Sequence, residues 1–174
     1  DLTNNKITSI QPLLDVPLHL FDLYLSDNPL QNVPDADFYQ LLESTSVTGF
    51  LGLATCGLIT FLARGPLNKP KPNETHLAVI LDNNKITQIP PLHDFLFGLS
   101  LGRTSIELKP GIFLGFPNLE VLYFVNSSIP MLAPFAELNE TLVSLVLDGS
   151  DLSHFSAAEI YNLIESLPQL LHLY

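Results

Sequence analysis

The side chains of this 174-residue chain with chemistry to offer are five histidines, one cysteine and eighteen acids. The histidines are His19, His76, His93, His154 and His172. Zinc hydrolysis calls for H-E-x-x-H on a helix, which puts two imidazoles on one face with a carboxylate as base; no such spacing occurs. A serine hydrolase of the α/β type needs a G-x-S-x-G elbow, and a nucleotide site needs a glycine-rich phosphate cradle. Neither is present, and Ser153-His154 is only a pair of chain neighbours. EF-hand spacing is also absent. The sequence therefore predicts a non-enzyme with no resident metal or cofactor. What remains is glycan chemistry. Asn73-Glu-Thr75, Asn126-Ser-Ser128 and Asn139-Glu-Thr141 are N-x-S/T acceptors. They predict N-linked glycans at Asn73, Asn126 and Asn139, and a secreted or cell-surface location.

Charge narrows the partners. The net charge is −11, with seven basic residues, and no Lys or Arg follows Lys109. A nucleic-acid footprint needs clustered basic side chains, so nucleic acid is not an expected partner. Acidic clusters such as Asp148-Gly-Ser-Asp151 read as solvated turns. Hydrophobic residues make up 47% and charged residues 14%, which predicts a packed interior and an unusually apolar surface. The longest apolar stretch, residues 47–62, is too short and too polar to span a bilayer, so no membrane insertion is expected.

The elements that position these groups come from a repeated frame. Its cleanest copy is L-x-x-L-x-L-x-x-N-x-L-x-x-L, carried by Leu20, Leu23, Leu25, Asn28, Leu30 and Val33. The polar position recurs at Asn5, Asn28, Cys56, Asn84, Thr104, Ser127 and Ser150, which are 23, 28, 28, 20, 23 and 23 residues apart. L-x-L alternation lines one face of a short strand with apolar side chains, and strands from successive coils can pair as a parallel sheet. The sharp turn after each strand buries backbone groups that need partners. An inward Asn supplies donors and acceptors, whereas Thr, Ser and Cys supply fewer, so positions 104, 127 and 150 are expected to hold their turns less well. Cys56, at an inward position, reads as a buried thiol.

This frame resembles the leucine-rich-repeat family over nearly the whole chain. The resemblance implies an α/β solenoid: one parallel sheet on a concave face, with short helices or extended segments on the convex face. Residues 1–174 then form a single stack of about seven coils. Extracellular members of the family usually close their ends with disulfide-bonded caps, which one cysteine cannot form.

Within the longer coils, residues 35–44 read as a helix with Phe38, Leu41 and Leu42 on one face. Residues 156–166 read as another. Ser156-Ala-Ala-Glu159 is a capping box, and Ile160, Leu163, Ile164 and Leu167 form its inward stripe. The short coils near Pro90-Pro91 and Pro130–Pro134 are expected to cross in extended form.

Two surfaces follow. Asp1 placed after Tyr174 gives Leu171-x-x-Tyr174-x-Leu2-x-x-Asn5-x-Ile7, which reads as the frame continued without a slip. It predicts an end-to-end junction carried by Leu2, Ile7, Leu171, Leu173 and Tyr174, with copies of the chain as partners. The concave face is expected to expose Phe21, Tyr24, Phe50, Leu77, Ile80, Phe97, Tyr123 and Val146, an apolar patch of the kind that marks an interface. The first reading is thus a structural extracellular glycoprotein, one period of a fibre or tandem surface array. The alternative is part of a receptor or adhesion ectodomain that grips a protein ligand on this face.

Overall fold

The computed structural model describes residues 1–15, 20–44, 49–63, 77–92 and 94–174. Seven parallel strands follow one another in chain order across one sheet. They are β1 (Leu23–Tyr24), β2 (Phe50–Gly52), β3 (Leu77–Ile80), β4 (Leu96–Ser100), β5 (Val121–Tyr123), β6 (Ser144–Val146) and β7 (His172–Leu173). The first coil adds backbone pairing beside β1, through Leu2 N to Tyr24 O at 2.8 Å and Asn4 N to Ser26 O at 2.9 Å. The α/β solenoid expected from the frame is therefore present, with β7 opening a further coil.

The alternating leucines account for the core. Leu23, Leu51, Val79, Leu99, Leu122, Leu145 and Leu173 share one row across the sheet. The first six are buried. Burial of each such side chain contributes about 2 kcal/mol. Leu25, Leu53, Leu81, Leu101, Phe124 and Leu147 form a second buried row two residues on.

Convex elements close the other side. They are α1 (Gln11–Leu14), α2 (Asp35–Ser44), a 3-10 helix (Ala133–Leu138) and α3 (Ala157–Ser166). In α2, Phe38, Leu41 and Leu42 are buried as the periodicity predicts. Ser156 caps α3, and Glu159 completes the capping box by accepting from the Ser156 amide at 2.8 Å. Leu163 and Leu167 are buried, whereas Ile164 is 44% exposed. The inward stripe of α3 is thus narrower than expected, with Leu163 and Leu167 as its buried members. The Pro130–Pro134 crossing is also corrected: Pro134 lies in the first turn of the 3-10 helix, where a proline costs no hydrogen bond. The one-turn α1 starts at Gln11-Pro12 for the same reason, and the frame gave no sign of it.

The expected junction register is overturned. Leu145 pairs with Leu173, and Tyr174 N donates to Leu145 O while Tyr174 O accepts from Leu147 N. Leu173, not Tyr174, therefore occupies the inward row, and Tyr174 lies beside Val146 in the outward row. Asp1 occupies that same outward row, since Leu2 stands where Leu25 stands one coil on. A peptide bond from Tyr174 to Asp1 would set Asp1 inward and slip the frame by one residue, which turns every side chain over.

Candidate ligand face and its supporting turns

Each turn of the stack is built the same way. The residue before the polar position has a left-handed backbone in every coil: Asn4, Asp27, Thr55, Asn83, Arg103, Asn126 and Gly149, with φ between 51° and 69°. Asn, Asp and Gly tolerate this region best, and five of these seven are of those types. The polar side chain then ties the turn to its neighbour. Asn28 Nδ2 donates to Leu25 O, Ser26 O and Leu2 O, and Oδ1 accepts from Ile7 N. Asn84 Nδ2 donates to Leu81 O, Asp82 O and Leu53 O, and Oδ1 accepts from Cys56 N and Leu58 N. Asn5, exposed in the first coil, keeps its bonds to Leu2 O and Thr3 O. Cys56 is a buried free thiol with Sγ 3.3 Å from Leu25 O, and burial pushes its pKa up. A raised thiol is a poor nucleophile.

The Ser and Thr turns have fewer ties. Ser150 Oγ donates to Phe124 O and accepts from Ser127 N. Ser127 Oγ donates to Val125 O and accepts from Arg103 N. Thr104 Oγ1 donates to Leu101 O.

Carboxylates add clamps that the sequence did not reveal, because each joins residues twenty or more apart. Asp35 accepts from Leu62 N and Ala63 N at 2.8 and 2.7 Å, holding Leu62 at φ 55°. Glu137 accepts from Gly111 N and Phe113 N in the same way. On the concave side, Asp22 Oδ1 accepts from Phe50 N at 2.8 Å and Asp82 Oδ1 from Gly102 N at 2.9 Å.

These turns and clamps fix the concave face. Its outward rows run Asp22, Phe50, Ala78, Gly98, Val121, Ser144, His172 and Tyr24, Gly52, Ile80, Ser100, Tyr123, Val146. Phe21 is 65% exposed, Phe50 43% and Tyr123 42%; Tyr24, Ile80 and Phe97 are half-buried. Two expected members are instead buried. Val146 sits between the larger Tyr123 and Tyr174 in its row, and Leu77 lies where β3 enters the sheet. The register shifts between Leu77 and Ala78, which pair with Leu96 and Gly98. Phe97 is thus the extra residue of a bulge.

Glycines let the aromatic rings lie close to the sheet. A Cβ on Gly49 would stand 2.6 Å from the Phe21 ring, and one on Gly52 would stand 3.0 Å from the Tyr24 ring. Phe50 thus has on either side of it in sequence a glycine that lies against an aromatic ring of the preceding coil. On the convex side, a groove of about 430 Å³ lies between the 3-10 helix and α3, lined by Met131, Ala136, Phe155 and Leu163 among others.

Two sequons lie among the described residues. Asn126 is exposed at its left-handed turn position, against Gly149. Asn139 is exposed just after the 3-10 helix, while Thr141 Oγ1 is buried with no hydrogen-bond partner. Asn73 lies outside the described residues. Of the junction residues, Leu171 is 76% exposed, Tyr174 62%, Leu173 39% and Leu2 36%, and Ile7 is half-buried. Among the described residues no three of His, Cys, Asp and Glu come together, and no helix is long and apolar enough to cross a membrane.

No family model matches the sequence, and no curated protein matches it. Among solved structures, the chain is similar to a leucine-rich-repeat protein of Leptospira interrogans, at 20% identity and a TM-score of 0.52. The match covers all of this chain and 54% of that protein, so the chain spans about half of its length. With the coil-by-coil register, the ladder of inward polar residues and this likeness together, the chain has the leucine-rich-repeat fold.

Proposed function

We propose that the chain is a non-enzymatic interaction scaffold that holds a protein partner on its concave face. The observation that carries this reading is the row of large apolar side chains left open there, with Phe50 and Tyr123 each more than two-fifths exposed on a face where Asp22 and Asp82 are tied into the sheet. Exposed apolar area of this kind is costly to keep unless a partner covers it. Selection of a random peptide library on the immobilised chain tests the reading. Binders should be lost on Phe50→Glu or Tyr123→Glu and retained on Leu114→Glu, a change at an exposed convex residue. Binders that ignore both concave changes sink it.

End-to-end association of copies, carried by the apolar Leu2, Ile7, Leu171, Leu173 and Tyr174, is the second reading. Extracellular placement rests on the exposed Asn126 and Asn139. Mass spectrometry of the chain from a secreting eukaryotic host, before and after enzymatic deglycosylation, tests this. Unmodified Asn126 and Asn139 in a secreted product would remove the support.

A further inference from the structure

The aromatic side chains of the concave face are not evenly spread. Phe21, Tyr24 and Phe50 gather at its N-terminal end, around the carboxylate of Asp22. The Phe21 ring lies against Gly49 and the Tyr24 ring against Gly52, and Phe50, between these glycines in sequence, is 43% exposed. Asp22 Oδ1 holds the Phe50 amide, which leaves Oδ2 of the same carboxylate without a described partner. Aromatic faces beside a carboxylate attract a cation twice over, through the ring quadrupole and through charge. A planar guanidinium suits this surface better than a compact ammonium, because it stacks on rings and sheds water more readily.

The charge of the whole face agrees. Among the described residues Asp22, Asp27, Asp82, Glu120 and Asp148 lie along it, against Arg103, in a chain of net charge −11. A face of this sign draws a basic partner and repels an acidic one. Resting on the concave-face reading above, we propose that Phe21, Tyr24, Phe50 and Asp22 form a seat for an arginine side chain presented by a basic, apolar polypeptide segment.

The test uses the full chain and two labelled octapeptides. One alternates arginine and leucine; the other carries citrulline, which keeps the shape and loses the charge. Fluorescence anisotropy in moderate salt should show the arginine peptide binding and the citrulline peptide at least about tenfold weaker. Asp22→Asn keeps an oxygen for the Phe50 amide and removes the charge. Phe50→Leu keeps apolar bulk and removes the ring. Each should weaken the arginine peptide about two- to fivefold. Leu114→Ala, at the exposed convex residue, should leave it unchanged. Circular dichroism confirms that the variants are folded.

Equal binding of citrulline overturns the seat, as does indifference to both Asp22→Asn and Phe50→Leu, which would mark binding to the net charge alone. If the arginine peptide fails while library-selected peptides still map to Phe50 and Tyr123, the seat falls and the scaffold reading stands. If selected peptides also ignore the face, both fall.

Discussion

Asn84 makes five hydrogen bonds from one side chain, and Thr104, in the next coil, makes one. The contrast divides the stack. From Asn5 to Asn84 the turns are held by three asparagines and Cys56, and Asn28 and Asn84 reach into the preceding coil. From Thr104 onward they are held by hydroxyls with one or two bonds. The C-terminal half has a different resource. Phe113 stacks on Phe135 at 6.0 Å between ring centroids, and Phe124 and Phe116 meet that pair edge-on. In the N-terminal half only Phe38 and Phe61 form a described ring pair, at 5.3 Å. The same backbone turn is thus stabilised by a polar ladder in one half and by aromatic packing beneath the coils in the other.

Substitutions can break this comparison. The largest loss is expected at Phe135→Ala, about 4 kcal/mol, because the ring is fully buried at the centre of its cluster. Asn84→Ala should cost about 3 kcal/mol, since two amides and three carbonyls lose their buried partner together. Ser150→Ala, at the equivalent position in the other half, should cost only about 1 kcal/mol. Urea unfolding of the three variants measures all of this. Equal losses at Asn84 and Ser150 would erase the distinction between the halves.

The smallest effect is a matter of pH. The Ser156 hydroxyl and amide hold the Glu159 carboxyl below the ordinary glutamate range. Its folded pKa is lower than its unfolded one. The capping contribution is therefore complete above the unfolded value and is lost as pH falls through the folded value. The Ser156 amide resonance should titrate in that acidic window, and Glu159→Gln should abolish the titration.

Much of this was legible in the residues. The inward rows, α2 and α3 follow from periodicity and a capping box, both properties of adjacent residues. Cys56 was placed because its position in the frame is inward. The register of β7 was not legible, since Leu170, Leu171, Leu173 and Tyr174 satisfy L-x-x-L in two alignments, and only pairing with Leu145 selects one. Val146 could not be read as buried without knowing that Tyr123 and Tyr174 flank it. The left-handed column had left a signal that went unread: Asn, Asp or Gly precedes the polar position in five coils. Within the arginine seat, Gly49 and Gly52 are the informative residues, yet a glycine in one strand says nothing of a ring that reaches it from another.

The ties of Asn28, Asn84, Ser127 and Ser150 each join a coil to itself or to its immediate neighbour, which gives the molecule a mechanical character. A stack coupled only between neighbours responds to tension as a chain of similar links. Drawn from its two ends, the molecule should yield in steps rather than at once, each releasing one coil. A coil of 23 residues lengthens by about 80 Å when drawn straight. The hydroxyl-held coils should let go at lower force than the asparagine-held ones, so the extension trace would record the order of turn residues along the sequence.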